Sequence, residues 1–363
     1  MSTGAPTVSE VRARALIAPL RTPIITASGQ LPHAPLLLID VHTQEGLTGR
    51  CYLVAYNPVV LKSLARLVED LGKVVTGDKV VPLDLETKMR AQFTLLGGSR
   101  GLAGLAVSGL DMALWDIAAQ SHGVPLATLL GGAPRPLRAY NSMGMVRADK
   151  AEAEARKTLD AGFTGIKFKL GFPTLAEDIA VVRAFRRALP DDFSVMVDFN
   201  QSLTVAETIR RGHALDDENL AWIEEPIRCD DYAGYAQIAA ALKTPLQLGE
   251  NFSGAFDMHA ALAANACDYV MPDAQQIGGV TGWLRAADLA QAYSKDFSSH
   301  LFVEVSAHLL AVTPTFHWLE YLDIAGAVLA DPPRVVKGAV EAPGRPGNGI
   351  VWDEAAVKKY QDA

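Results

Sequence analysis

Beyond about residue 137 the chain alternates between two hydrophobic rhythms. Short apolar runs of strand length come at regular intervals: RAYNSMG, GIKFKLG, FSVMVDFN, LAWIEEP, PLQLGE, YVMPDAQ, DFSSHLF and HWLEYLD. Between them lie stretches in which apolar residues recur every three or four positions: KAEAEARKTLDAG, LAEDIAVVRAFRRAL, TVAETIRRGHAL, YAGYAQIAAAL, AFDMHAALAAN and TGWLRAADLAQAYSK. Strand–helix alternation predicts an α/β fold with a parallel sheet, and about eight units predict a sheet closed into a barrel. The last two units are the least regular.

From about residue 8 to 130 the rhythm is mixed. APLLLIDVHTQEGLTGRCYLVAY reads as a hairpin around Glu45 and Gly46. PVVLKSLARLVEDLGKVV and LAGLAVSGLDMALWDIAAQSHG have helical spacing, and the second stops at Gly123 with Pro125 beyond it. The Pro-containing link APRP follows at 133–136. The expected layout is an α+β domain over 1–130, a barrel over 131–325, and a segment over 326–363. The turn-rich EAPGRPGNGIVW in that last segment is expected to return to the first domain.

Composition narrows the class. With 363 residues, 49% of them hydrophobic and 20% charged, the chain can bury a large core. A net charge of −8 argues against a nucleic-acid partner. Cys51, Cys229 and Cys267 show no paired spacing, which suits a reducing compartment. The N-terminal MSTGAPTVSEVRARAL lacks an apolar signal core, and no charge-free apolar run approaches about 18 residues. The expectation is a cytoplasmic protein without a membrane partner.

In a barrel of this kind, polar residues at the C-terminal ends of the strands build the active site. Those positions hold Lys167 and Lys169, then Asp198 with Asn200 beyond it, Glu224 and Glu225, Glu250, Asp273, His300 and Glu320. Asp198, Glu224 and Glu250 come from neighbouring strands and converge. Three such carboxylates repel unless a cation lies among them, and an all-oxygen set suits Mg²⁺. Ion pairs across the barrel mouth are the plainer reading of any one of them; three in register favour the metal.

Lys169 and His300 stand on opposite sides of the mouth. Asp273, one unit before His300, can orient its imidazole. Lys167 sits two residues from Lys169 on the same strand face and should depress its pKa toward neutrality. His213, His259, His308 and His317 lie in helical or flanking stretches and read as structural.

These motifs together resemble the enolase superfamily, mandelate racemase subgroup. KFK at 167–169, VDFNQSL at 197–203, WIEEP at 222–226, GEN at 249–251, PDAQQIGGVTGW at 272–283, SSHLF at 298–302 and HWLEYLD at 317–323 fit in order. The resemblance implies a (β/α)7β-type modified TIM barrel with an N-terminal α+β capping domain. It implies Mg²⁺ as cofactor and a small carboxylate as substrate. The implied reaction removes the proton α to that carboxylate and passes through an enediolate.

By the same resemblance, Lys169 serves the (S) face and His300 with Asp273 the (R) face. Lys167 and a protonated Glu320 stabilise charge on the substrate carboxylate, and Asn200 and Ser142 lie beside it. An early loop, TPIITASGQLPHAPL, folds over the substrate. Ile24, Leu31, Tyr56, Leu301 and Leu322 match pocket positions, although ordinary core packing would explain each one singly. The implied activity is racemisation of mandelate or a similar 2-hydroxy acid. An acid-sugar dehydratase on the same scaffold is the alternative, and a barrel that only binds metal or an organic acid is the third reading. The family also implies a homo-oligomer built from dimers, up to an octamer.

Overall fold

In the computed structural model, which describes residues 4–27 and 29–361, the first three strands form one antiparallel sheet. They are β1 (Val8–Thr26), β2 (Gly29–Thr43) and β3 (Thr48–Val54), in that order. The β2–β3 turn falls at Glu45 and Gly46, where Gly46 takes a φ of 87°. Leu36, Leu37, Leu38 and Ile39 of β2 are all buried, so both faces of this strand are covered.

The segment expected to be an early loop is a hairpin. β1 runs on to Thr26 and pairs back with β2, Ile24 opposite Leu31 and Thr26 opposite Gly29. Pro19, Pro23 and Pro32 disguise these strands, because proline is depleted from strands and tolerated at edges and bulges. The register shift between Pro19 and Ile24 is such an irregularity.

The helix Gly101–Ser121 packs against β3 and is buried on most sides. It is long and apolar enough to cross a membrane by length and composition, but its apolar window lies mostly inside the fold. A Cβ at Gly49 would lie 2.0 Å from the Ala113 carbonyl oxygen, so only glycine lets β3 approach this helix. Asp111 on the same helix accepts from the Thr281 backbone N–H at 3.0 Å and its hydroxyl at 2.6 Å. That contact fastens the first sheet's helix to the barrel helix Gly279–Ala292.

The barrel strands are β4 (Leu137–Met145), β5 (Gly165–Lys169), β6 (Ser194–Asp198), β7 (Trp222–Glu224), β8 (Leu246–Leu248), β9 (Tyr269–Val270), β10 (Asp296–Phe297) and β11 (Leu319–Tyr321). They run parallel in the order β10-β9-β8-β7-β6-β5-β4-β11. The seam between β10 and β11 closes through the Phe297–Phe316 bridge and the Ser299 N–H donating to the Trp318 carbonyl at 3.1 Å. A short strand, β12 (Ala339–Val340), adds antiparallel to β4. Each of the eight runs read from the sequence supplies one parallel strand. The helix Val303–Ala311 was not expected. It is buried on almost every side, so it carries no amphipathic period to read.

The barrel floor is a cluster of Tyr140, Met196, Trp222 and Trp318. The C-terminal helix Glu354–Gln361 lies against β1. Arg14 joins Asp40 at 2.7 Å and Glu354 at 2.6 Å, and the Trp352 indole donates to Asp40 at 2.8 Å. The tail thus returns to the first sheet through the Trp352 indole on buried Asp40 and through the largely exposed Glu354 on Arg14.

His308 anchors the same region. Its Nδ1 accepts from the Ala127 N–H, so Nε2 carries the proton and faces the Asn348 carbonyl, each at 3.2 Å. Burial pushes this imidazole down to about 4. Above pH ~6.5 it is neutral both folded and unfolded and costs nothing. As pH falls from ~6.5 toward 4, the unfolded chain takes a proton that the folded chain refuses. Stability should drop by on the order of 3 kcal/mol across that window. Thermal melts of wild type and His308→Gln between pH 7 and 4 check this: the variant's melting temperature should fall less steeply.

Candidate active site and metal centre

Strand alternation turns every second barrel residue inward, and the last inward residues of each strand meet at one end. Asp198, Glu224 and Glu250 each offer a carboxylate oxygen there, all within 4.8 Å of one another. Asp198 and Glu224 are register partners on β6 and β7. Asn200 holds Asp198 in place, donating its backbone N–H at 2.7 Å and its amide at 3.2 Å.

The crowding has an electrostatic signature. Burial, with Asp198, Glu320 and Glu250 close by, pushes Glu224 up to about 8 even though Lys167 pulls it down. A divalent cation would offset that repulsion, and hard carboxylate oxygens are the donors such an ion prefers. The residues present therefore fit Mg²⁺.

Lys169 and His300 flank the cluster. On one side Lys169 Nζ lies 2.7 Å from Asp198. On the other, His300 Nε2 lies 3.1 Å from Glu250, and its Nδ1 lies 2.7 Å from Asp273. Lys167, fully buried, bridges Glu224 and Glu320, the latter at 2.7 Å. Glu320 also accepts the Leu301 backbone N–H at 2.9 Å.

Charge states differ from the expectation in two places. Lys169 was expected to titrate near neutrality because of Lys167. Burial and Lys167 do lower its pKa, but Asp198 and Glu250 outweigh them and the net shift is upward. Glu320 was expected protonated. Burial favours that form, yet Lys167 and His300 hold it as a carboxylate, at about 2. His300 follows the logic of Lys169: burial pushes it down, but Glu250, Glu320 and Asp273 lift it to about 10. The carboxylates that face Lys169 and His300 thus favour the charged form of each.

Backbone of left-handed φ gathers at this mouth: Tyr56 at 54°, Asn200 at 43°, Glu225 at 31° and Leu301 at 47°. Such conformations persist only where surrounding contacts over-determine them, and they cluster at functional sites. Glu225 is held by the Gly249 N–H at 3.2 Å and the Asn251 amide at 2.7 Å. Asn251, Trp222 and Gln247 were not singled out from the sequence. Trp222 and Asn251 fall within the WIEEP and GEN motifs, whereas Gln247, three residues before Glu250, carried no signal of its own.

The apolar set falls into two groups. Ile24 is buried and faces Leu31 across the flap hairpin, and Leu301 is buried beside Glu320. Ile24, Ser142 and Leu322 line a cleft of about 280 Å³ between the flap base and the ends of β4 and β11. Tyr56 is 44% exposed, so it overhangs the mouth rather than filling it. Although the residue is partly exposed, its phenol is pushed up, by desolvation first and then by Asp273, Glu250, Glu320 and Glu225.

The flap touches the barrel at three strand ends. Arg21 pairs with Asp323 at 3.3 Å, and Ala27 packs where a Cβ on Gly171 would lie 3.2 Å away. A Cβ on Gly144 would lie 2.5 Å from the Ile25 nitrogen and 2.7 Å from its oxygen. Gly144→Ala should therefore lift the flap. Steady-state kinetics should show KM raised about tenfold, some 1.4 kcal/mol of lost binding.

A parallel barrel whose mouth holds three converging carboxylates, with Lys169 and His300 on either side under a flap, is suited to a metal-dependent enzyme. Residues 150–356 match the model for the enolase C-terminal domain-like family. Residues 8–131 match that for the mandelate racemase / muconate lactonizing enzyme N-terminal domain. The chain belongs to this family.

Among solved structures, an enolase from Bradyrhizobium complexed with magnesium and mandelic acid is 47% identical. Its TM-score is 0.96, with 99% of each chain covered. Among curated relatives, L-talarate/galactarate dehydratase of Salmonella typhimurium is 32% identical over 94% of this chain and 88% of its own. The 3,6-anhydro-alpha-L-galactonate cycloisomerase of Streptomyces coelicolor is 31% identical over 95% of this chain and 97% of its own.

Proposed function

We propose that this protein is a Mg²⁺-dependent racemase of mandelate or a similar 2-hydroxy acid with an apolar substituent. The observation that carries the reading is the pair of bases on opposite sides of the carboxylate cluster, Lys169 against Asp198 and His300 against Glu250. Moving one proton from either face of a planar carbon needs a base on each face. A chain that only bound a metal or an acid would have no use for both.

Asp198, Glu224 and Glu250 would hold the cation, which when bound supplies Lewis-acid stabilisation of negative charge on the substrate carboxylate. Lys167 adds a fixed positive charge at the same group, where charge develops as the α-proton leaves. Once Asp198 and Glu250 no longer neutralise them, Lys169 and His300 are free to exchange protons with the substrate carbon. Lys169 acts on the (S) face by the family pattern. His300, oriented by Asp273 through Nδ1, acts on the (R) face through Nε2. Asn200 and Ser142 border the carboxylate end. Ile24, Leu31, Leu301, Leu322 and the ring of Tyr56 surround the substituent and exclude water.

Two features support an apolar substituent: buried Ile24 in the flap with buried Leu301 beside Glu320, and the mandelic acid bound by the 47% identical Bradyrhizobium enolase. The second reading is an acid-sugar dehydratase, favoured by the curated relatives named as dehydratases. The two separate in one assay. The protein with Mg²⁺ is offered mandelate, galactarate and galactonate in parallel, and products are followed by NMR. Inversion of mandelate with no 2-keto product from the sugar acids is expected. A 2-keto sugar acid formed while mandelate stays unchanged would replace the first reading with the second.

A further inference from the structure

Glu224 is gripped from beneath as well as from the side. Its Oε1 takes Lys167. Its Oε2 accepts from the Trp222 indole Nε1 at 3.1 Å and faces the Gln247 amide nitrogen at 3.4 Å. Trp222 and Glu224 are two residues apart on β7, so both point inward and the indole lies one layer below the carboxylate. Gln247 is the register partner of Glu224 on β8. All three side chains are fully buried.

The indole itself has little room to move. Tyr140 meets it edge-on at 5.5 Å, Tyr269 at 6.3 Å, and His317 lies tilted at 5.7 Å. The aromatic floor of the barrel thus fixes an N–H that points up at one carboxylate oxygen. A carboxylate offers about four acceptor directions. Trp222 and Gln247 at Oε2 and Lys167 at Oε1 take three of these directions, which leaves the remaining one on Oε1 for a cation, and together they set the plane of the group. Unlike Lys167, Trp222 and Gln247 carry no net charge to compete with a dication.

We propose that Trp222, seconded by Gln247, is a positioning residue for Mg²⁺: it locks the plane of Glu224 so that the carboxylate faces Asp198 and Glu250. This rests on the reading of those three carboxylates as the Mg²⁺ site. Groups that hydrogen-bond to metal ligands typically govern 10–100-fold of metal affinity, because they remove the freedom of the ligand to turn away. The weaker contact from Gln247 makes the smaller share.

The test is calorimetric titration of Mg²⁺ into the metal-free full-length protein. Trp222→Phe keeps a ring in the floor and removes only the N–H. Trp283→Phe is the matched control, since Trp283 is equally buried and its indole donates to Thr313 at 3.1 Å, away from the site. Mg²⁺ affinity should fall about tenfold or more in Trp222→Phe and stay at the wild-type value in Trp283→Phe. Equal affinity in wild type and a folded Trp222→Phe would overturn the proposal, as would equal losses in the two tryptophan variants. Gln247→Leu covers the case in which Trp222→Phe fails to fold: about threefold weaker binding is expected, and wild-type binding there would overturn it. Wild-type protein that binds no Mg²⁺ would refute the underlying metal-site reading instead.

Discussion

His300→Asn should lower racemisation by about 10⁴-fold while the (S) α-proton still exchanges with solvent. The geometry separates the two proposed bases: His300 Nε2 stands at Glu250, and Lys169 stands at Asp198. Removing one leaves the other with its own access to the carbon. Asn keeps a polar group of similar reach toward Asp273, so the fold should hold. The check is NMR of each enantiomer in D₂O with Mg²⁺ present. Exchange of (S) without inversion is expected, and no reaction from (R). Loss of (S) exchange as well, in a variant that still binds Mg²⁺, would break the two-base assignment.

Asp198→Asn should abolish Mg²⁺ binding and cut turnover by about 10³-fold or more. That loss corresponds to roughly 4 kcal/mol of transition-state charge stabilisation. Stability without metal should also fall, because the substitution takes from buried Lys169 the carboxylate it pairs with at 2.7 Å. Part of that loss is offset, since Asn can still accept the Asn200 N–H and one of the carboxylates that repel each other beside Glu224 is removed. The informative measurement is the melting temperature with and without Mg²⁺. Wild type should gain stability with the ion by mass action, and the variant should gain none. A variant that still melts higher in Mg²⁺ would mean that the ion binds elsewhere.

The sequence made the barrel legible for a physical reason. Strands buried on both faces read as apolar runs, and helices with one wet face read by their period. Where those conditions failed, so did the reading. The helix Val303–Ala311 is apolar all round, and the flap strands are broken by Pro19, Pro23 and Pro32. The strand-end rule brought Lys167, Lys169, Asp198, Glu224, Glu250, Asp273, His300 and Glu320 to one place because inward residues repeat every second position. Charge states were beyond its reach. Lys169 lies nearer in effect to Asp198 than to Lys167, and Glu320 is held ionised by a lysine two strands away. Only distances across the barrel reveal which neighbour prevails. Trp222 and Gln247 were hidden likewise, since an indole in an aromatic floor reads as packing until its N–H is seen to reach Glu224.

The most direct test of the racemase reading is proton exchange on a single carbon. Incubate (R)- and (S)-mandelate separately with the protein and Mg²⁺ in D₂O, and follow the α-proton by NMR and the optical rotation by polarimetry. The α-proton signal should disappear from both enantiomers, and both rotations should decay to zero. Unchanged signal and rotation in both, with Mg²⁺ bound, would contradict that reading.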